Sequence, residues 1–238
     1  MKTFDRKMSL VDISEFEESL GYVFKNKKLL LEALTHRSFF HENPEKAESY
    51  NERLEFLGDS VLGFVMVEYL FLLETQLPES IMAKTKSYLV KESILSEIAN
   101  TISLGKYLRL GRGEEATGGR TKRSLLADAV EAVLGAVYLD SGYEKARELI
   151  LRLFKDKIDR ILSSGEFHDF KTELQEKTQQ LLNTIPEYRI AKQEGEEHKK
   201  IFTVEVYIDG EKFGEGRGKS KKEAEMRAAK AALAMLPK

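Results

Sequence analysis

The stretch NERLEFLGDSVLGFVMVEYLFLL, Asn51–Leu73, decides how the chain is read. At 100° per residue, Glu52, Glu55 and Asp59 fall within an arc of about 60°. Leu54, Leu57, Val61 and Val65 occupy a nearly opposite face. Up to this point the segment is an ordinary amphipathic helix. Beyond Asp59 the acid face continues as Leu62, Met66 and Leu70, so the helix becomes apolar all round, as a core helix does. The three acids therefore stand where the helix leaves the core. Either they form a solvated end or something cationic rests on them.

Working outward, the pattern from about Ser14 to Leu162 is helical almost throughout, with apolar residues three and four apart. Helices are expected at 14–20, 27–35, 49–73, 79–86, 91–104, 123–139 and 143–162. Two polar interruptions separate them: HENPEKAE (41–48) and the glycine-rich GRGEEATGGRTKR (111–123), expected to be mobile. SSGEFHD (163–169) reads as a linker. After it, Phe170–Asn183 is helical, and EYRIAKQE, IFTVEVYID and KFGEGRG read as short strands. Phe202, Val204, Val206 and Ile208 alternate with polar neighbours, and Asp209-Gly210 signals a hairpin turn. Ser220–Leu236 closes as an Ala-rich helix. The expected organisation is thus an all-α domain over 1–162, a linker at 163–168 and a small α-β-β-β-α domain, α+β in class, over 169–238.

Of 238 residues, 42% are hydrophobic and 33% charged, which suits a soluble globular chain. Lys and Arg number 38 against 40 Asp and Glu, so any basic surface must be local. There is no cysteine, which removes disulfides, zinc–thiolate sites and thiol nucleophiles together. The first residues lack the apolar core of a signal peptide. The apolar run Val61–Leu73 is too short to span a bilayer and carries Glu68. A cytoplasmic protein with no membrane partner is expected.

A second window bears on the acids. In SLLADAVEAVLGAVYL (124–139) the only charged residues are Asp128 and Glu131, at i and i+3 on one face of a helix otherwise made of Leu, Ala and Val. Buried carboxylates must be paired, protonated or bound to metal. Arg53, Arg120, Lys122 and Arg123 are possible partners by sequence. Yet two core helices that each present carboxylates one turn apart also assemble a hard-cation site, for which Mg²⁺ needs only a few carboxylate oxygens. Such a site suits phosphodiester cleavage by a metal-activated water, with no Ser or Cys nucleophile required.

ERLEFLGDS (52–60), ALTHRS (33–38) and LLADAVEAVLG (125–135) resemble, in order, the signature blocks of the ribonuclease III family. The last 70 residues resemble the double-stranded-RNA-binding domain that follows the nuclease domain in bacterial members. The resemblance implies an endonuclease that cuts both strands of duplex RNA with Mg²⁺, for which Mn²⁺ can substitute. The products would carry 5′-phosphate and 3′-hydroxyl ends, and ribosomal-RNA precursor and mRNA processing is the family-level role. It implies Glu55, Asp59, Asp128 and Glu131 as metal carboxylates, with Glu131 and Asp59 foremost in catalysis. It implies a homodimer through the catalytic domain, Phe56 plugging a socket on the partner and Glu79 contributed across the interface; Glu52 would contact RNA. Phe56 also lies about 160° from Leu54, off the apolar face. His36 and Arg37 are read as a helix-end contact rather than acid–base chemistry.

In the second domain, Thr172, Gln175 and Gln179 form a polar row at i, i+3 and i+7, able to meet 2′-hydroxyls and minor-groove edges. The loop 195–200 carries His198 and Lys199. Lys219, Lys221 and Lys222 stand at the start of the last helix, where the dipole also favours phosphate. Glu196 takes a place where members often have Pro, and Glu197 adds a second negative charge. Two rival readings exist: a non-catalytic duplex-RNA binder in which the acids are structural, and a helical phosphohydrolase of small nucleotides. The second leaves the α-β-β-β-α domain unexplained.

Overall fold

The computed structural model describes residues 10–73, 76–164, 170–195 and 200–236. The chain divides into two compact units, Met1–Glu166 and Phe167–Lys238. His198, Lys199, Glu196 and Glu197, and most of the expected linker, lie outside the described residues.

The first unit is helical: α1 (Leu10–Leu20), α2 (Lys27–Ala33), α3 (Arg37–Glu42), α4 (Glu52–Phe71), α5 (Glu79–Leu89), α6 (Glu92–Thr101), α7 (Arg112–Ala116) and α8 (Arg123–Ser164). Short 3-10 turns at Leu104–Tyr107 and Gly119–Thr121 flank α7. Helix α8 is the axis of the unit and packs against α2, α4, α5 and α6. Its Val130, Val133, Leu134 and Val137 are buried, as are Leu62, Val65 and Met66 of α4. At Gly142 the helix breaks, with φ 78° and ψ −176°, a conformation that L side chains avoid. This is the division expected between 123–139 and 143–162.

Next to that break, Asp140 holds the entry of α2. Its carboxylate accepts from the Tyr22 hydroxyl at 2.7 Å and from the backbone N–H groups of Lys25 and Asn26 at 2.9 and 2.8 Å. Partial burial pulls the carboxyl up, but these donors outweigh it and hold it below the usual aspartate range. A depressed carboxyl stabilises the fold above its unfolded value, and that contribution is lost as pH falls through the folded one. Asp140→Ala is expected to cost about 1–2 kcal/mol near neutral pH, roughly 3–6 °C in melting temperature, with the difference shrinking on acidification. Thermal melts at neutral and acid pH measure it.

Two elements depart from the sequence reading. Helix α3 occupies residues where no helix was expected. Its N-cap is a histidine, His36, rather than one of the usual Ser, Thr, Asp or Asn. The segment 111–123 is not a mobile loop. Arg120 Nη1 donates to the carbonyls of Gly105, Lys106 and Leu108 at 3.0, 3.0 and 2.8 Å, and its Nε meets Glu115 at 2.7 Å. Lys122 pairs with Glu114, and the Arg112 N–H donates to Glu42 of α3 at 2.8 Å. The glycines supply tight turns inside this clasp rather than freedom. The Cβ that any other residue would place at Gly111 would collide with the Ser38 carbonyl and the Glu42 carboxylate.

The second unit runs α9 (Phe170–Leu182), β1 (Glu187–Glu194), β2 (Ile201–Ile208), β3 (Glu211–Gly218) and α10 (Lys221–Leu233). The sheet is antiparallel in the order β1-β2-β3. Asp209 and Gly210, at φ 49° and 81°, make the two-residue turn with both φ positive that suits a hairpin. Val204, Val206 and Ile208 are buried with Leu174 of α9 and Ala224, Ala228 and Ala232 of α10. The alternating glycines 214, 216 and 218 let β3 lie directly on the α10 backbone. On the opposite face, Arg189 pairs with Glu187 and stacks on Tyr207, Lys212 bridges Glu205 and Glu215, and Arg217 pairs with Glu194.

Candidate active site

The site is made where α4 and α8 touch. A Cβ at Gly58 would overlap the carbonyl oxygen of Glu131 and stand 3.0 Å from the Gly135 nitrogen. A Cβ at Gly135 would overlap the carbonyl of Leu54 and stand 3.1 Å from the Gly58 nitrogen. Only two glycines let the backbones come this close. The residues one turn before Gly58 and one turn before Gly135 are thereby brought face to face, and they are Glu55 and Glu131.

Glu55, Asp128 and Glu131 each offer a carboxylate oxygen, all within 4.8 Å of one another, and all three side chains are half-buried. Asp59 is not within that triplet. It stands one turn on from Glu55 on the same face of α4, and its side chain is exposed. It still acts on the group: after burial, the Asp59 charge is the largest influence that pushes Glu131 up to about 8. Glu55 and Asp128 follow in that order. Burial, then Asp128, Glu52 and Asp59, raise Glu55 above the usual glutamate range. Burial raises Asp128, helped most by Glu92 in the first turn of α6, an acid the sequence reading did not single out. None of the three carboxylates is in an ion pair or accepts a side-chain hydrogen bond among the described residues. Arg53, Arg120, Lys122 and Arg123 are thus not their partners. Arg120 and Lys122 are engaged with Glu115 and Glu114.

Hard oxygen donors crowded this closely repel one another and hold protons that a cation can displace. The donor set fits a divalent hard ion such as Mg²⁺ and offers nothing to a soft one.

The remaining expected residues scatter around this centre. Glu52, in the first turn of α4, is exposed and pairs with Arg37 at 3.4 Å. Glu79 begins α5, is exposed and is not one of the three clustered carboxylates. Phe56 is 79% exposed, and Phe64, Val67 and Phe71 continue an apolar stripe along α4. In the second unit Thr172, Gln175 and Gln179 are exposed on α9. Lys219, Lys221 and Lys222 are exposed at the start of α10. There Ser220 Oγ accepts from the Glu223 N–H at 3.1 Å while Glu223 Oε2 accepts from the Lys219 N–H at 2.8 Å, a side-chain cap reinforced one residue before the helix. The Glu223 carboxylate already occupies the positive end of the α10 dipole, so any attraction for phosphate there falls to the lysine side chains.

Comparison with known proteins gives a consistent picture. Residues 26–158 match the family described as Ribonuclease-III-like, and residues 170–236 match the double-stranded RNA binding motif. Ribonuclease 3 of Natranaerobius thermophilus is 48% identical over 227 residues, covering 95% of this chain and 97% of that one. Ribonuclease 3 of Borreliella afzelii is 48% identical over 222 residues, 93% and 90% of the two chains. The solved nuclease domain of ribonuclease III from Campylobacter jejuni, described for structural flexibility in a region involved in dimer formation, has a TM-score of 0.56 and 44% identity. It covers 60% of this chain and 96% of its own. The chain belongs to the ribonuclease III family, with an endoribonuclease domain followed by a double-stranded RNA binding motif.

Proposed function

We propose that the chain hydrolyses both strands of duplex RNA in a Mg²⁺-dependent reaction, leaving 5′-phosphate and 3′-hydroxyl ends. The carrying observation is the convergence of Glu55, Asp128 and Glu131 at the α4–α8 crossing, in a chain whose other unit matches a double-stranded RNA binding motif. Those three residues would hold the ion, which when bound supplies an activated water and charge compensation at the phosphate. Asp59, whose charge weighs most on Glu131 after burial, is the fourth metal carboxylate of this reading and stands with Glu131 in catalysis. Glu131, pushed up to about 8, carries a proton at neutral pH until a cation takes its place. Glu52 faces the RNA at the rim of the site.

The active form is a homodimer through the nuclease domain. The exposed stripe of Phe56, Phe64, Val67 and Phe71 supports this, since apolar side chains gathered on one helix face mark an interaction surface. It also gives Glu79 a role, since an exposed acid outside its own chain's triplet can be contributed across an interface. Thr172, Gln175 and Gln179 would meet 2′-hydroxyls, and Lys219, Lys221 and Lys222 the phosphates; His198 and Lys199 belong to the same reading. Among the described residues no helix is long and apolar enough to cross a membrane. Precursor ribosomal RNA and structured mRNA in the cytoplasm are the proposed substrates.

Incubating long duplex RNA with the protein in Mg²⁺ and in excess chelator tests the reading. Cleavage into short duplexes is expected only with the metal, Mn²⁺ substituting. Cleavage that survives chelation would sink the metal mechanism. Binding without cleavage in either metal would point to the non-catalytic alternative.

A further inference from the structure

His36 stands at a junction that neither the acidic triplet nor the RNA-binding unit explains. The Leu34–His36 segment runs beside Arg109: the Arg109 N–H donates to the Leu34 carbonyl at 2.8 Å, and the His36 N–H donates to the Arg109 carbonyl at 3.0 Å. The imidazole Nδ1 accepts from the Ser38 backbone N–H at 3.2 Å. An amide nitrogen can only donate, so Nδ1 carries no proton. The Ser38 hydroxyl, 2.8 Å from the same Nδ1, is then also a donor to it. That leaves a lone pair of Ser38 Oγ to accept from the Gly111 N–H at 2.9 Å. Every proton in the chain is assigned: Gly111 N–H to Ser38 Oγ, and Ser38 Oγ–H to His36 Nδ1. The ring proton sits on Nε2, and the imidazole is neutral.

The two ends of this relay matter. Gly111 is the N-cap of α7, whose Arg112 N–H is held by Glu42 of α3. Arg37, next to His36, reaches across to Glu52 in the first turn of α4, the same helix that carries Glu55. We propose that His36 is a positioning residue whose neutral ring ties α3 to the α7 clasp through Ser38 and thereby holds Arg37 against Glu52 at the rim of the active site. The inference rests on the proposed function in one respect, that Glu52 faces the RNA.

An imidazolium has no acceptor, so protonating His36 removes the cap of α3 and the Ser38 link in one event. Several charged groups face the ring: Glu114 of α7, Arg37 of α3, Glu52 of α4 and Lys122 before α8. Burial, the largest influence, lowers His36 below its ordinary value, so the relay is intact at neutral pH.

Asparagine is the discriminating substitution, because its Oδ1 accepts as Nδ1 does and it is a strong N-cap. In the full chain, His36→Ala and Ser38→Ala are expected to lower amide-exchange protection of Gly111 about fivefold, the factor that a lost cap of ordinary strength produces. The KM for duplex RNA should rise by a similar factor with kcat unchanged. His36→Asn should stay within about twofold of wild type in both readouts. Gly111 protection in wild type should fall as pH drops through the imidazole titration, and in His36→Asn it should not. Unchanged protection in His36→Ala would overturn the proposal. So would a His36→Asn variant as impaired as His36→Ala, since the ring itself would then be the contact. If the wild-type chain cleaved no duplex RNA, the proposed function would fail while the amide-exchange arm still decided the relay.

Discussion

Glu131→Gln is expected to abolish duplex cleavage and at the same time to raise the melting temperature of the metal-free protein. The loss of activity should be at least about 10³-fold, corresponding to the several kcal/mol that a bound cation contributes to transition-state charge. The gain in stability follows from the same geometry. Burial and three neighbouring acids push Glu131 up to about 8, so in the folded state it binds a proton that the unfolded chain has already released near neutral pH. A carboxyl raised by folding gives its full stability below the unfolded value, and that stability is lost as pH rises through the folded one. Glutamine keeps the shape without the titration. Without divalent ions, wild type and variant should melt together near pH 4. By pH 8.5 the variant should melt higher by about 3–6 °C, reflecting on the order of 1–2 kcal/mol after solvent screening. Added Mg²⁺ should reverse the order, because a ligand stabilises only the protein that binds it. Paired melts at the two pH values, with and without Mg²⁺, measure all of this. Identical melts at pH 8.5 would show that the triplet is not a store of unfavourable charge.

Gly58→Ala should be nearly as damaging while leaving every acid in place. Alanine is the better helix former, so propensity alone predicts a gain of up to about 1 kcal/mol. The new Cβ, however, would overlap the Glu131 carbonyl, which is backbone and has no rotamer to move aside. Helices α4 and α8 must separate, at about 1–3 kcal/mol for overpacking of this kind. Glu55 is then carried away from Asp128 and Glu131, and a misplacement near 1 Å is worth on the order of 100-fold in rate. Gly63→Ala is the control in the same helix for the crossing itself. Within the chain its Cβ would meet nothing nearer than Lys86 Cε at 3.5 Å, so the Mg²⁺ affinity of the site should equal wild type. A Gly58→Ala enzyme with normal melting and normal Mg²⁺ affinity would refute the crossing as the device that sets the site.

What could be read without coordinates, and what could not, divides along physical lines. Asp128 and Glu131 were legible because two charges in a run of Leu, Ala and Val demand a reason wherever the run folds. The hairpin at Asp209-Gly210 was legible because local stereochemistry alone determines it. The weight of Asp59 on Glu131, larger than that of Glu55 or Asp128, was not, because it depends on how closely α4 and α8 approach. The short helices α3 and α7 were missed for a different reason. Neither has enough residues to show a period, and α7 is held by side chains from elsewhere, Glu42 and Lys122. Arg120 gathers three carbonyls 12 to 15 residues earlier in the chain, a closure that no window of sequence displays. Glu92 is hidden in the same way, since its influence on Asp128 exists only once α6 lies on α8.

The outer face of the three-stranded sheet has a consequence for how the RNA-binding unit would respond to its ionic surroundings. Arg189, Lys212 and Arg217 are each committed to a glutamate on the same face, so the patch holds little condensed counterion and has little to release on meeting a polyanion. Lys219, Lys221 and Lys222, at the other edge, form no ion pair among the described residues. Release of ions from the RNA's own atmosphere would be driven by these few side chains. The number of basic residues in the unit is therefore a poor guide to the salt slope of duplex binding, and neutralising the sheet arginines should leave that slope nearly unchanged.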